Sequence, residues 1–475
     1  MRQTSTQKWQ ILIALALGTS MVPINASIVN VSLPSITEFF GASVATSQWV
    51  LTAYLIMLLS LVLFFGRFGD FYGQEKLYMY GAVGFLFSSV LCSLAPSIHL
   101  LIIFRALQGI TAAMMISVSI GIIRRAFPVE YLGRALGIYS MAIAAGLALG
   151  PAIGGFLESA GSWTYIFLVN IPLGIISLII CYLVLERKDG DEVKWDLKGT
   201  ILQFTTLFTV VYGLNLVQTY GLDLKILIIG SFALVTFILF IVNEKRVEYP
   251  LLNLSLFRNA KFSAYNLALL FNYLSMYMVL FIMPFYLQKV LHLSLGSIGL
   301  LLTVSPLAMM VLAPFSGFIS DKIGSRYLAF AGSLIFALAL YSMSYLTIFA
   351  NYGDVLWRFV VLGLGAALFQ APNNRSIMAS ISRGESGMVS SIIVTMRNLG
   401  MVFAVSFAGL ILYSTISPDT LQSPLLFNLQ AYDFTTGMHR IVIFGAILSV
   451  IMAFLSLIKI HSTKVALNYI KDKIS

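Results

Sequence analysis

The sequence predicts an all-α polytopic membrane protein, two six-helix bundles with two further helices between them. Three observations carry that prediction. Of 475 residues, 59% are hydrophobic and only 10% charged, with a mean hydropathy of +0.93; a soluble domain needs about a quarter of its residues charged. Apolar runs of about 20 residues, enough for a hydrocarbon core of roughly 30 Å, recur along the whole chain. One short pattern also occurs twice, as GRFGDFYGQEK and as GFISDKIGSRY. Gly66, Asp70 and Gly73 in the first copy match Gly317, Asp321 and Gly324 in the second, 251 residues on. Two six-helix halves alone would be offset by roughly 200 residues, so the surplus fits two extra spans. Repeated halves around a midplane site are a common plan of secondary transporters.

The first span, 9–33, follows the basic lead MRQTSTQK. It has the outline of a signal peptide but no good small-residue cleavage site, and it reads as a retained helix. Spans at 47–66, 77–97, 99–123, 134–157 and 163–185 complete a first bundle over 1–185, broken by polar turns such as SLAPSI and RRAFPVE. Two more, 199–219 and 224–243, lie with flanking loops in 186–261, between ERKDGDEVK and NEKRVEYP. The second bundle, 262–475, holds spans 262–287, 294–319, 326–348, 355–375, 387–414 and 439–459 and ends in a short tail.

Charge orients these spans. Of 29 Lys and Arg, three (Lys225, Lys289, Arg440) fall on outward segments and three (Arg105, Arg358, Arg397) within spans; the rest lie on inward ones. Basic residues near span ends stay in the cytoplasm, so a multi-pass plasma-membrane protein with both termini cytoplasmic is expected. The net charge of +10 then reflects topology and contact with lipid headgroups, not a nucleic-acid partner. Cys92 and Cys181 fall in apolar runs, which argues against a disulfide framework. The four His lie at span ends or in loops without metal-ligand spacing, and no phosphate-binding loop is present. An enzyme, a metal or other cofactor, and ATP-driven transport are therefore not expected. A receptor would carry a larger extramembrane domain than these loops provide. A monomer is expected.

Further stretches, in order, resemble one known family. These are SQWVLTAYLIMLLSLVLFFGRFGDFYG, RALQG (Arg105, Gln108, Gly109), GLALGPAIGG (Gly146, Gly150, Pro151, Gly154, Gly155), SWTYIFLVNIPLG, PLLNLSLFRN and MPFYLQKVLHLSLGSIGLLLTVSPLAMMVLAPFSGFISDKIG. The chain is similar almost end to end to the fourteen-helix drug:proton antiporters (EmrB/QacA type) of the major facilitator superfamily. The resemblance implies the major facilitator fold and export of a small amphiphilic substrate by alternating access, with protons as coupling ion. An uncoupled facilitator or a lipid exporter on the same fold is the alternative.

Gly146, Gly150 and Gly154 recur every four residues and so line one helix face, where they admit a close neighbour. Pro151 removes a backbone hydrogen bond. Tight packing is one reading; the resemblance implies a bend that governs which side opens. Asp70 and Asp321 are expected in short cytoplasmic turns, as helix caps or, by resemblance, as gate latches that meet a helix N-terminus and nearby basic residues. The first copy has Phe71, Gln74 and Glu75 where the family favours Arg or Lys, which predicts a weaker latch; the second keeps Lys322 and Arg326.

Arg358 follows Asp354 by four residues, an i,i+4 pair. Arg105 and Arg397 have no acid one turn away. An intramembrane Arg costs about 2.5–3.5 kcal/mol, so each is expected to face the cavity or its gate. At 1.5 Å per residue, Asn25 stands roughly 24 Å up its helix and Arg105 roughly 10 Å down its own, heights that permit a hydrogen bond.

PINASIVNVSLP, residues 23–34, carries Asn25, Ser27 and Asn30 at intramembrane depth but no acid. By resemblance, the position of Asn25 usually holds an Asp that handles protons or cations. An amide does not titrate in that way. With Asn25, Asn30, Arg105, Gln108 and Arg397 as the cavity candidates, neutral or anionic amphiphiles are expected to be favoured over cations. Any proton must then use an acid near a span end, such as Glu158, Asp354, Asp70 or Asp321, or else be carried by the substrate itself.

Overall fold

The computed structural model describes residues 5–185, 196–220, 223–248, 250–252, 254–380, 386–416, 426 and 428–458. Fourteen helices among them are long and apolar enough to span a membrane, and no strand is present among the described residues. They are α1 (Ser5–Phe39), α2 (Val44–Tyr72), α3 (Gln74–Ser93), α4 (Ile98–Ala126), α5 (Val129–Ser159), α6 (Tyr165–Val184), α7 (Leu197–Tyr220), α8 (Leu224–Arg246), α9 (Ala260–Phe285), α10 (Leu295–Ile323), α11 (Ser325–Met343), α12 (Tyr352–Ala379), α13 (Ser386–Tyr413) and α14 (Asn428–Ser456). Because successive helices run antiparallel, the molecule has a near face, where α1 begins, and a far face, where it ends.

Local chemistry sets the ends. The Ser43 hydroxyl accepts from Thr46 N at 3.1 Å and starts α2, and Asn351 and Asp354 form a reciprocal capping box at the start of α12. Gly73 and Gly324, the last glycines of the repeated pattern, have φ of +104° and +89°. A side chain resists that left-handed backbone, so glycine is what allows α2 to turn into α3, and α10 into α11, with no spacer. The sequence repeat is thus a repeat of backbone geometry.

Helix packing repeats in the same way. In the first bundle α1 packs on α4, α5 and α6, and α4 on α2 and α3; in the second, α9 packs on α12, α13 and α14, and α12 on α10 and α11. Matching glycines admit matching backbones. A methyl on Gly109 of α4 would stand 2.4 Å from Tyr54 O on α2, and one on Gly363 of α12 would stand 2.4 Å from Ser305 O on α10. The helices α1 and α9 are the most enclosed, with 72% and 83% of their apolar windows buried, so they form the two centres. By contrast α8 is 17% buried; it packs on α7 and turns Leu227, Phe232, Leu234 and Leu239 outward, which suits lipid contact.

The bundles meet along two seams related by the repeat, α5 on α10 and α2 on α13, with α7 wedged against both α2 and α13. At the first seam a methyl on Gly299 would come 2.5 Å from Pro151 O, and one on Gly155 would come 2.4 Å from Leu295 O. The hydrogen bonds that join the bundles among the described residues lie at the far face: Ala45 N donates to Tyr413 Oη at 2.8 Å, and Gln288 Nε2 to Ser35 Oγ at 3.5 Å. The structure is closed at its far face.

Several sequence expectations change. Asp70 and Asp321 belong to the last turns of α2 and α10, not to loops, because each helix continues until its terminal glycine. The final helix begins at Asn428 instead of 439, which moves His439 and Arg440 from its end into its interior; there His439 contacts Leu346 O at 2.6 Å and Arg440 donates to Thr415 Oγ1 at 3.1 Å. Arg358 makes no side-chain pair with Asp354. Its guanidinium donates to the backbone carbonyls of Asp354 and Ser342, because the Asp354 carboxylate is taken by the cap at Asn351. The tail after 458 lies outside the described residues.

Replacing Gly299 with Val should leave each bundle intact and obstruct the far-face closure. Thermal unfolding in detergent is expected to shift by no more than a few degrees while transport falls at least tenfold. Gly363→Val, inside one bundle, should instead lose about 1–3 kcal/mol of stability from overpacking and unfold at lower temperature.

Candidate functional site

The centre of the first bundle is organised by one side chain. Arg105 points from α4 toward α1 and α2 and is 0% exposed. Its Nη1 donates to Asn25 Oδ1 at 3.0 Å and to Gln108 Oε1 at 2.6 Å, and its Nε donates to Val50 O at 2.9 Å. The guanidinium lies 4.2 Å from the centroid of the Tyr54 ring, a cation–π distance, and the Tyr54 hydroxyl donates to Val22 O at 3.0 Å. Gln108 Nε2 donates onward to Ser89 Oγ at 2.7 Å on α3. One guanidinium thus ties together four helices. The contact between Arg105 and Asn25 expected from their depths is present.

The described partners of this arginine include no carboxylate; an ion pair is seen instead at the near face, between Arg125 and Glu75. The site is therefore rich in donors and positively charged. Arg105 Nη2 and Asn25 Nδ2 are buried and have no acceptor. A narrow crevice beside them is lined from one bundle by Ala26, Asn30, Leu51, Tyr54, Leu55 and Arg105, and from the other by Tyr277 and Val405. Asn30 spends its amide NH₂ on Ala26 O at 3.0 Å, which leaves Oδ1 unpartnered. A monovalent cation about 6 Å from Arg105 would be repelled by about 3 kcal/mol at an effective dielectric constant near 20.

Arg397 does not join this group. It is half-buried on α13 and does not line the crevice, and its Nε has no acceptor. Its charge is felt instead by Tyr277 of α9 and Tyr139 of α5, so it faces the space between the bundles. The second bundle builds an uncharged polar contact between the helices corresponding to α1 and α4: Gln370 Nε2 donates to Asn272 Oδ1 at 2.9 Å, Tyr273 Oη to Gln370 Oε1 at 3.3 Å, and Asn373 Nδ2 to Tyr265 O at 3.0 Å. These amides bridge helices.

The glycine face of α5 seats on α1. A methyl on Gly146 would meet Ser20 O at 2.8 Å, one on Gly154 would meet Ile28 Cγ1 at 2.8 Å, and Gly150 leaves room for the Ser27 hydroxyl. Gly155 belongs to a different face, the seam with α10. Pro151 lies within an unbroken α5. In the near-face pattern, Asp70 accepts from Gln74 Nε2, whose own Oε1 accepts from Arg125 Nη2 at 2.8 Å; Arg125 also pairs with Glu75 at 3.0 Å. The basic partner missing from the motif is thus supplied by α4 and reaches Asp70 through an amide. Gly66 is unobstructed, and the side chain of Asp321 and the surroundings of Gly317 lie outside what the structure describes.

Sequence reasoning missed Val50, Tyr54 and Ser89 as partners of the arginine group, Gly299 as partner of Gly155, and Arg125 as the latch cation. Only Arg125 carried a sequence signal, a basic pair at the end of the fourth span; the others are a backbone carbonyl, a tyrosine ring, a serine hydroxyl and a glycine, groups common along the chain.

Two pseudo-equivalent bundles with a crevice and a buried polar centre between their helices are the plan of a membrane transporter. The chain belongs to the Major Facilitator Superfamily, whose match covers residues 15–248 and 265–468. It is 32% identical over 403 residues to the riboflavin transporter RibZ of Clostridioides difficile, covering 84% of this chain and 87% of that one. It is also 30% identical over 418 residues to the multidrug efflux pump LfrA of Mycolicibacterium smegmatis, covering 86% and 82%. A solved bacterial homolog of the human lysosomal transporter Spinster, inward-facing and unoccupied, shares the fold at 17% identity with a TM-score of 0.67, covering 96% of this chain and 97% of that one.

The arginine network should behave as a unit. Arg105→Ala leaves three buried acceptors without their donor, at about 1–3 kcal/mol each, and Asn25→Leu removes one of them. A double-mutant cycle on thermal unfolding is expected to give a coupling of about 1–3 kcal/mol between the two positions; strict additivity would show that the contact carries no energy.

Proposed function

We propose that this protein is a secondary active exporter of neutral or anionic amphiphiles, working by alternating access and proton antiport in the plasma membrane. The observation that carries the reading is the pairing of a buried Arg105 with an amide, Asn25, in place of a carboxylate, beside a crevice shared by both bundles. A cation binding there would lose water without gaining a counter-charge. An anion or a polarisable neutral ring meets a free guanidinium NH₂, two amides and the Tyr54 face.

Multidrug export is supported by similarity to LfrA and to the Tetracenomycin C resistance and export protein of Streptomyces glaucescens, 30% identical over 411 residues. Similarity to a riboflavin transporter favours a second reading, a carrier dedicated to one neutral aromatic compound. The near face is assigned to the cytoplasm from the concentration of Lys and Arg on near-face segments, which puts both termini inside. In this assignment the near-face pattern around Asp70 and Asp321 acts as the cytoplasmic latch, and α5 bends during the cycle at Gly150, which seats on α1, and Pro151, whose carbonyl meets Gly299 of α10.

Everted vesicles with an acidic interior test the reading. Neutral and anionic amphiphiles should dissipate the pH gradient, and lipophilic cations at least tenfold less. Asn25→Asp should raise cation-driven dissipation several-fold at the expense of anions, because it places a carboxylate against Arg105. Cations that work as well as anions in the wild type would overturn the selectivity. Substrate equilibration without proton movement would mark a facilitator.

A further inference from the structure

Of Glu158, Asp354 and Asp70, the candidate proton carriers whose side chains the structure describes, one stands apart. The Asp354 carboxylate is committed to a helix cap, and Asp70 accepts from Gln74. Glu158 is different. It stands one residue from the far end of α5, is 6% exposed, and has no hydrogen-bond donor on either carboxylate oxygen. It lies three residues beyond Gly155, where α5 touches α10 at Leu295 and Gly299.

Among the described residues, the side chains that act on it are the uncharged Ser32 and Ser35. From α1, Ser32 and Ser35 face the carboxylate, but the Ser32 hydroxyl closes no hydrogen bond and Ser35 accepts from Gln288 across the bundle boundary. The α10 side presents Leu295 and glycine. Residues 160–169, which follow α5, contain no ionisable side chain except Tyr165. Across the seam, the far-face cation Lys289 interacts with Glu38 and lies 6.0 Å from the Phe285 ring.

We propose that Glu158 is the proton-binding site of the transport cycle, read out by the far-face seam. This rests on the proton-coupled reading above and names the group that performs it. A buried carboxylate with no donor carries an uncompensated charge, and binding one proton removes it. When α5 and α10 part, far-face water reaches Glu158 and a proton forms an O–H bond on the carboxylate. The neutral group then allows Gly155 to seat on α10, as in the closed far face seen here. The proton leaves to water that enters from the near face when the crevice is open; Asn30, which lines it, stands two residues before Ser32 on α1. Ser32 and Ser35 are the acceptors that orient the carboxyl O–H.

Proteoliposomes of wild type, E158Q and E158D separate the possibilities, with substrate-driven proton flux and substrate exchange measured side by side. E158Q, a fixed neutral mimic, should keep exchange within about threefold of wild type and lose proton flux at least tenfold. E158D should retain proton flux with a displaced pH profile. Wild-type proton flux undiminished in E158Q would overturn the assignment while leaving antiport standing. Absence of proton flux in the wild type itself, with exchange intact, would overturn antiport and this site with it. Loss of exchange in both E158Q and E158D would mark Glu158 as a packing group and reject its role with protons.

Discussion

A buried guanidinium without a carboxylate is the constraint on which the rest of the first bundle depends. Burying Arg105 costs several kcal/mol unless its donors are used. Here they are used on neutral oxygens, from the backbone of α2, an amide of α1 and an amide of its own helix. That choice fixes three things together. It sets the height of α1 against α4, because Asn25 must meet Nη1. It sets the rotation of α2, because both Val50 O and the Tyr54 ring must face the same group. And it leaves the positive charge unneutralised at the wall of the crevice, where it becomes a property of the binding surface.

The two bundles solve the same packing problem with different chemistry at their centres. Gly109 and Gly363 admit the same close crossing, and the corresponding helices pack in the same order. Yet where the first bundle has a charged fork, the second has an amide chain of Asn272, Gln370 and Tyr273. The fold therefore does not require the arginine. It is an addition to one half, so the crevice between the halves has a charged wall on one side and, on the other, Tyr277 and Val405.

Most of the architecture was legible because a membrane leaves few alternatives. Hydrocarbon allows only closed hydrogen-bonding structures, so apolar runs of sufficient length must be helices, and the fourteen spans and their repeat followed. The ends were less legible. Thr435 fell before the last span and His439 and Arg440 at its outer end, but each finds an acceptor within the protein and the last helix extends over them. The site was legible where polarity is rare: Arg105, Gln108 and Asn25 stood out in apolar surroundings and do meet. It was not legible where the partner is a backbone carbonyl, as at Val50, or a glycine, as at Gly299, because such groups are present throughout the chain and only tertiary packing selects them. Arg397 shows the opposite failure. Its chemistry matched that of Arg105, but the side chain faces a different space, which no spacing along one helix could reveal.

The two seams between the bundles are equivalent by topology but not in physical character, and the difference bears on how the molecule can move. At α5–α10 the backbones touch through glycine, and a contact of that kind tolerates little sliding, because each glycine fits one notch on the partner. At α2–α13 the additional helix α7 packs against both partners. Its Phe204, Phe208 and Tyr212 stack in a row, and Trp49 of α2 rests on the last two with centroids 5.9 and 6.3 Å apart. Tilted aromatic faces hold apolar area over a range of offsets, whereas a glycine notch is lost once the helices separate. A bundle that rocks against the other can therefore keep its contact with α7 while the α5–α10 seam is made or broken as a unit. In such a motion α7 would preserve one boundary and leave the switching to the other, the boundary that contains Gly155, Gly299 and Glu158.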